Sequence, residues 1–167
     1  MSGKVLLVTG GGRGIGAATC RLAARQGYSV AVNYLGNAVT AETLAAEITR
    51  AGGRAVAIRA DVSREADVER LFAETETQLG PLTHLITNAA MTGRASRLDE
   101  VSSETLEAVF DLNILGAFLC ARGAPSGSRR GMAARAAPSS TSPRAPPPSA
   151  VPANGCGTPP PRRPSTR

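Results

Sequence analysis

At 167 residues and a net charge of +6, the chain is long enough for one domain, but its charge is unevenly placed. Gly123 to Arg167 holds seven arginines, 11 of the 12 prolines and no Asp or Glu, so residues 1–122 carry 12 basic against 13 acidic groups. The high pI therefore belongs to the tail and gives no reason to read the first 122 residues as a nucleic-acid binder. Cys20, Cys120 and Cys156 have neither metal-ligand spacing nor the even count of a disulfide scaffold, which predicts a reducing, cytoplasmic setting. No apolar run approaches the roughly 18–20 residues of a membrane span. A strand beginning at Lys4 leaves no room for a signal peptide.

Lys4 to Thr9 (KVLLVT) is continuously apolar, which predicts a strand buried on both faces, as in a parallel sheet. A glycine cluster follows, and Gly14 to Gln26 predicts a helix burying Ile15, Ala18 and Leu22, stopped by Gly27. Ser29 to Tyr34 is a second strand. Asn37 caps a helix with Leu44 and Ile48 inward, ended by Gly52-Gly53. Ala55 to Ala60 is a third strand. Ser63 is the expected cap of a helix whose Val68, Leu71, Phe72, Thr75 and Leu79 form one stripe, closed by Gly80-Pro81.

His84 to Ala89 is a fourth strand, with His84 read as an ordinary strand residue. The last helix starts near Ser102 or Ser103 and sets Leu106, Val109, Phe110, Asn113, Ile114 and Ala117 on one face. Strands alternating with helices of this length predict an α/β fold, an incomplete doubly wound parallel sheet of Rossmann-like kind with about four strands. Residues 1–122 form this partial dinucleotide-binding domain. Residues 123–167 form a low-complexity tail in which Val151 is the one Val, Ile or Leu. Such a segment cannot offset the roughly 1–2 kcal/mol per residue that ordering a backbone costs, and it is predicted to be disordered.

Thr9 to Gly16 reads T-G-G-G-R-G-I-G between the first strand and the first helix. Glycine permits the tight turn and lets backbone approach a pyrophosphate with no Cβ in the way. The helix start then offers free N–H groups and a positive dipole end to the phosphates. The strand-turn-helix context distinguishes this from a bare glycine motif. Thr9, Gly10, Gly12, Arg13, Gly14, Ile15 and Gly16 are the candidate cofactor-binding residues of the turn.

The spacing of Gly10, Gly14 and Gly16 resembles the T-G-x-x-x-G-x-G pattern of the short-chain dehydrogenase/reductase family. Three further segments resemble that family in the same order. Asp61-Val62 is similar to its adenine-contacting pair. Asn88-Ala89-Ala90 is similar to its N-A-G motif, with alanine replacing the glycine. Asn113 to Gly116 is similar to the N-x-x-G on the helix that carries its catalytic asparagine. The resemblance runs from about residue 4 to 122. It implies an oxidoreductase that moves a hydride between a nicotinamide coenzyme and a small carbonyl or alcohol substrate, and a homo-oligomer.

An NAD enzyme usually carries Asp or Glu at the end of the second strand, where it binds the ribose 2′-OH and repels a 2′-phosphate. This chain has Asn33 and Tyr34 there and Arg13 in the glycine turn, where a guanidinium suits a phosphate. NADP is favoured over NAD.

The resemblance also implies a serine, and a Tyr-x-x-x-Lys whose tyrosine is the proton partner of the reacting oxygen. The sequence has no Tyr-x-x-x-Lys. Its tyrosines are Tyr28 and Tyr34, and its one lysine is Lys4. Of the family's catalytic positions, Asn113 alone is matched. Read one nucleotide out of phase, the codons of Ala137 to Arg144 permit G-A-I-V-N-V-S-S, and those of Gly155 to Arg162 permit W-V-R-Y-A-A-S-K. A frameshift near Arg122–Gly123 would account for both. The expectation is an oxidoreductase lineage whose present chain is inactive. The alternatives are a catalytically dead nucleotide-binding fragment and a nucleic-acid binder acting through the tail. The tail has no aromatic residue for stacking on bases, which argues against the last.

Overall fold

The computed structural model of the chain describes residues 3–93 and 96–124. Four strands form one sheet: β1 (Val5–Val8), β2 (Ser29–Tyr34), β3 (Arg54–Arg59) and β4 (His84–Ile86). The helices are α1 (Gly14–Arg25), α2 (Ala38–Arg50), α3 (Glu65–Leu79), α4 (Ser103–Phe110) and α5 (Gly116–Gly123). A π-helical turn (Asp111–Leu115) joins α4 to α5. The strand order is β3-β2-β1-β4 and every pairing is parallel, with Leu6 opposite Val30 on one side and His84 on the other.

The unbroken hydrophobicity of β1 has a direct cause. Val5 and Leu7 join Ile58 and the α3 residues Val68, Leu71 and Phe72 in one core. Leu6 and Val8 join Val30, Val32, the α1 residues Ala17 and Cys20, and the α2 residues Leu44 and Ile48 in another. The sheet is thus the middle of three layers, and β1 must be apolar on both faces. Fully burying one such leucine contributes about 1.5–3 kcal/mol.

Several expectations change. In α1 the buried face is Gly16, Ala17, Cys20 and Ala23, whereas Ile15 is 81% exposed and Ala18 and Leu22 are also exposed. Small side chains let this helix lie close on the sheet, so its larger apolar residues turn outward. Arg64, not Ser63, is the N-cap of α3, because Ser63 instead donates from N–H and Oγ to Asp61 Oδ1 at 3.0 and 2.6 Å. The stripe on α3 is buried as expected.

The last helix starts where expected, with Ser102 Oγ accepting from the Thr105 N–H. Its face is not the expected one. The π turn adds a residue to one turn and shifts the phase, so α4 has no buried residue and Leu106, Phe110 and Ile114 are exposed. Burial resumes at Gly116, Leu119 and Cys120. Asn37 caps α2 as expected, accepting from Thr40 N–H at 3.1 Å. Among the described residues no strand pairs with the outer side of β4, and no helix is long and apolar enough to cross a membrane. From residue 125 onward the expected tail disorder lies outside the described residues, as do Cys156 and the two out-of-phase segments.

Candidate functional site

β2 lies on one side of β1 and β4 on the other, so the winding reverses between β1 and β4. In open parallel sheets a ligand crevice forms beyond the carboxyl ends of the strands at such a reversal. A cleft of about 660 Å³ opens there.

The turn after β1 forms its floor. Gly10 and Gly14 have φ of +60° and +53°, a region that favours glycine. A Cβ on Gly10 would stand 2.9 Å from Ala89 Cα, and one on Gly16 would stand 2.7 Å from both the Gly10 carbonyl oxygen and Asn88 Nδ2. The backbone of the turn is pressed directly against the loop after β4.

Two asparagines clip it in place. From the β4 side, Asn88 Nδ2 donates to the carbonyls of Thr9 and Gly10 at 3.1 and 3.0 Å. Thr9 Oγ1 in turn accepts from the N–H groups of Asn88 and Ala89 at 2.9 and 3.0 Å. From the β2 side, Asn33 Oδ1 accepts from Gly10 N–H at 3.2 Å, and the Asn33 carbonyl accepts from Gly11 N–H at 2.9 Å.

Arg13 is the N-cap of α1, makes no side-chain capping bond, and no acidic residue follows in the first turn. The first amides of α1 thus lack an intrahelical acceptor and a side-chain cap, and the dipole end is positive, which suits an anion. The Arg13 side chain is exposed and has no hydrogen bond or ion pair among the described residues.

Gly12, Arg13, Gly14, Ile15, Asn33, Tyr34, Asp61, Val62, Asn88, Ala89 and Ala90 line the cleft with Gly10. Thr9 and Gly16 sit beneath the turn, both buried. Leu35, Gly36, Asn37, Thr40, Ala60 and Leu112 also line it. Sequence reasoning missed these, although Leu35 to Asn37 directly follow the predicted second strand, and that position was a usable signal.

Asp61 is held by Ser63, and its own N–H donates to Asp67 Oδ2 at 2.8 Å. That amide, ahead of the Arg70 guanidinium, keeps the Asp67 carboxyl below its ordinary value of 3.8. Asn113 does not line the cleft. Its Oδ1 accepts from Met91 N–H at 2.9 Å and its Nδ2 donates to the Met91 carbonyl at 2.8 Å, tying the π turn to the loop after β4. Gly116 completes this packing, since a Cβ there would stand 3.1 Å from the Val62 carbonyl oxygen. Cys20 and Cys120 are buried and free, and burial pushes their thiols up to about 12 and about 11. Among the described residues no group of His, Cys, Asp or Glu could hold a metal ion.

The family model described as short chain dehydrogenase matches residues 4–132. The uncharacterized oxidoreductase YgfF of Escherichia coli (strain K12) is 40% identical over 118 residues, covering 71% of this chain and 48% of that protein. A 3-oxoacyl-acyl-carrier-protein reductase of Synechocystis sp. is 38% identical over 122 residues, covering 73% of this chain and 49% of that protein. Among solved structures, a blue fluorescent protein from a metagenomic library, in complex with NADPH, has a TM-score of 0.67 at 36% identity. The match covers 74% of this chain and 50% of that one. The chain spans about half the length of the curated relatives it matches.

Proposed function

This chain belongs to the short-chain dehydrogenase family, and on that premise we propose that its cleft holds NADP while the chain itself turns over no substrate. The observation that carries the first part is the glycine turn pinned between Asn33 and Asn88 at the uncapped start of α1. A Cβ would fill the space at Gly10 and Gly16, and the first amides of α1 have neither an intrahelical acceptor nor a side-chain cap, so the residues present fit a pyrophosphate.

Bound there, the coenzyme would supply or accept a hydride at its nicotinamide ring. Gly12 to Gly16 would hold the phosphate end, with buried Thr9 shaping the turn beneath them. Tyr34 and Arg13 would hold the ribose, with Asn33 supporting the turn. Asp61 and Val62 would border the adenine, and Asn88, Ala89 and Ala90 the nicotinamide end. Among the described residues Arg13 has no acidic partner, and Asp61, already held by Ser63, is the one carboxylate lining the cleft. Both features favour a 2′-phosphate and hence NADP over NAD. The neighbour solved with NADPH supports the same reading.

The second part rests on the sequence, which has no Tyr-x-x-x-Lys. Without a proton partner near the reacting oxygen, hydride transfer to a carbonyl or from an alcohol has no route for its proton. Asn113 has both ends of its amide engaged with Met91 and cannot replace that partner. Free, buried Cys20 and Cys120 support a reducing cytoplasm. Exposed apolar residues on α4 and α5 support self-association through those faces.

Competition against NADPH by 2′-phospho-AMP and by AMP tests the cofactor choice. The 2′-phosphate should bind tighter, and tighter binding of AMP would overturn NADP in favour of NAD.

A further inference from the structure

We propose that Asn33 is the positioning residue that presets the phosphate-binding turn, acting through Gly10 and Gly11 and not by touching the nucleotide. The proposal rests on the reading that the cleft holds a dinucleotide.

Its place at the end of β2 suggests contact with a ribose, yet Asn33 is only 2% exposed. Each of its polar groups is engaged inside the protein. Oδ1 takes the Gly10 N–H and the backbone carbonyl takes the Gly11 N–H. Nδ2 donates to the Ala60 carbonyl at 3.0 Å and to the Ile58 carbonyl at 3.4 Å. One side chain therefore fastens the turn after β1 to the ends of both β2 and β3.

The consequence concerns which amides face the ligand. Those of Gly10 and Gly11 are closed onto Asn33, so the donors left for an anion begin at Gly12 and continue through the first turn of α1. The turn is also blocked from moving inward. A Cβ on Gly11 would stand 3.1 Å from both Val32 Cγ1 and the Val8 carbonyl oxygen, and 3.2 Å from Cys20 Sγ. A turn already fixed on its buried side does not have to be ordered when the nucleotide arrives, and affinity rises accordingly. Removing the side chain frees the Gly10 amide and leaves a buried carbonyl at Ala60 short of a donor.

The test uses the full 167-residue chain. In amide hydrogen exchange without nucleotide, the Gly10 amide should be protected like the β1 amides of Leu6 and Leu7, while the Gly12 amide exchanges freely. Titration calorimetry with NADPH and with 2′-AMP, which lacks a pyrophosphate, should then separate two effects in Asn33→Ala. Affinity for NADPH should fall by about tenfold or more, and affinity for 2′-AMP by less than about threefold. Asn33→Ser is the second variant, expected to show the same split. A Gly10 amide in the unsubstituted chain that exchanges as fast as Gly12 would overturn the proposal, whether or not the variants fold. So would an equal loss for both probes, which is the mark of general loosening. Failure of the unsubstituted chain to bind either probe, with Gly10 protected, would instead defeat the dinucleotide reading itself, and the proposal with it.

Discussion

The β1–β3 side of the sheet and the β4–α5 side share one fold, yet they differ in where their apolar side chains go. On the first side, β2 and β3 pair along six residues, and Val30, Val32, Leu44 and Ile48 are buried between strands and helices. On the second, β4 is three residues long and has no outer partner among the described residues. Phe110 and Phe118 stay 56% and 71% exposed. The first side closes its layers around large buried side chains, although Ile15 and Val39 stay exposed. The second leaves more of its apolar side chains outside and, among the described residues, an open strand edge, both liabilities for association. The proposed cradle for the coenzyme draws mainly on the first side, with the loop after β4 and Leu112 of the π turn from the second. The proposed nucleotide binding and a well-covered fold are therefore separable properties in this chain.

Substitutions can break that separation or sharpen it. The largest effect should come from Leu71→Ala, which empties the centre of the core beneath β1. A loss of about 2–5 kcal/mol is expected, enough to abolish a cooperative thermal melt and NADPH binding together. Next comes Gly16→Val at the junction of the two sides. Its Cβ would meet the Gly10 carbonyl and Asn88 Nδ2 at 2.7 Å, and a destabilisation of about 1–3 kcal/mol is expected. NADPH-induced stabilisation should vanish while circular dichroism still reports a folded chain.

Phe118→Ser acts on the second side alone. Stability should stay within about 0.5 kcal/mol, while light scattering at high concentration falls. The smallest effect concerns pH. Asp67 is held below 3.8 by the Asp61 amide and Arg70, so its contribution is present above that value. It is lost as the pH falls through the depressed folded value. Asp67→Asn should lower the neutral plateau slightly and flatten the acid limb of a plot of stability against pH, so that the two chains converge at low pH.

Much of the first side could be read from residue order. β2 has the expected bounds, and the stripe of α3 is buried as its spacing implied, because large apolar residues at helical period have one place to go. α1 misled for the opposite reason. Its contact face is made of Gly16, Ala17 and Cys20, and small residues chosen for close approach carry little hydrophobic signal. The helix beyond Ser102 misled because a π turn at Asp111–Leu115 is a tertiary event that no period announces. At the cleft, the glycine turn was legible because only glycine tolerates its contacts. Leu112 and Thr40 were not, since the topology alone brings the π turn and the start of α2 to that rim.

The central claim is a coenzyme site without a proton partner. It is tested most directly by following NADPH with the purified 167-residue chain and a panel of carbonyl compounds, reading fluorescence and nicotinamide absorbance together. A saturable fluorescence change with no loss of absorbance over time is the predicted result. Steady consumption of NADPH that depends on both the chain and a carbonyl compound would contradict it.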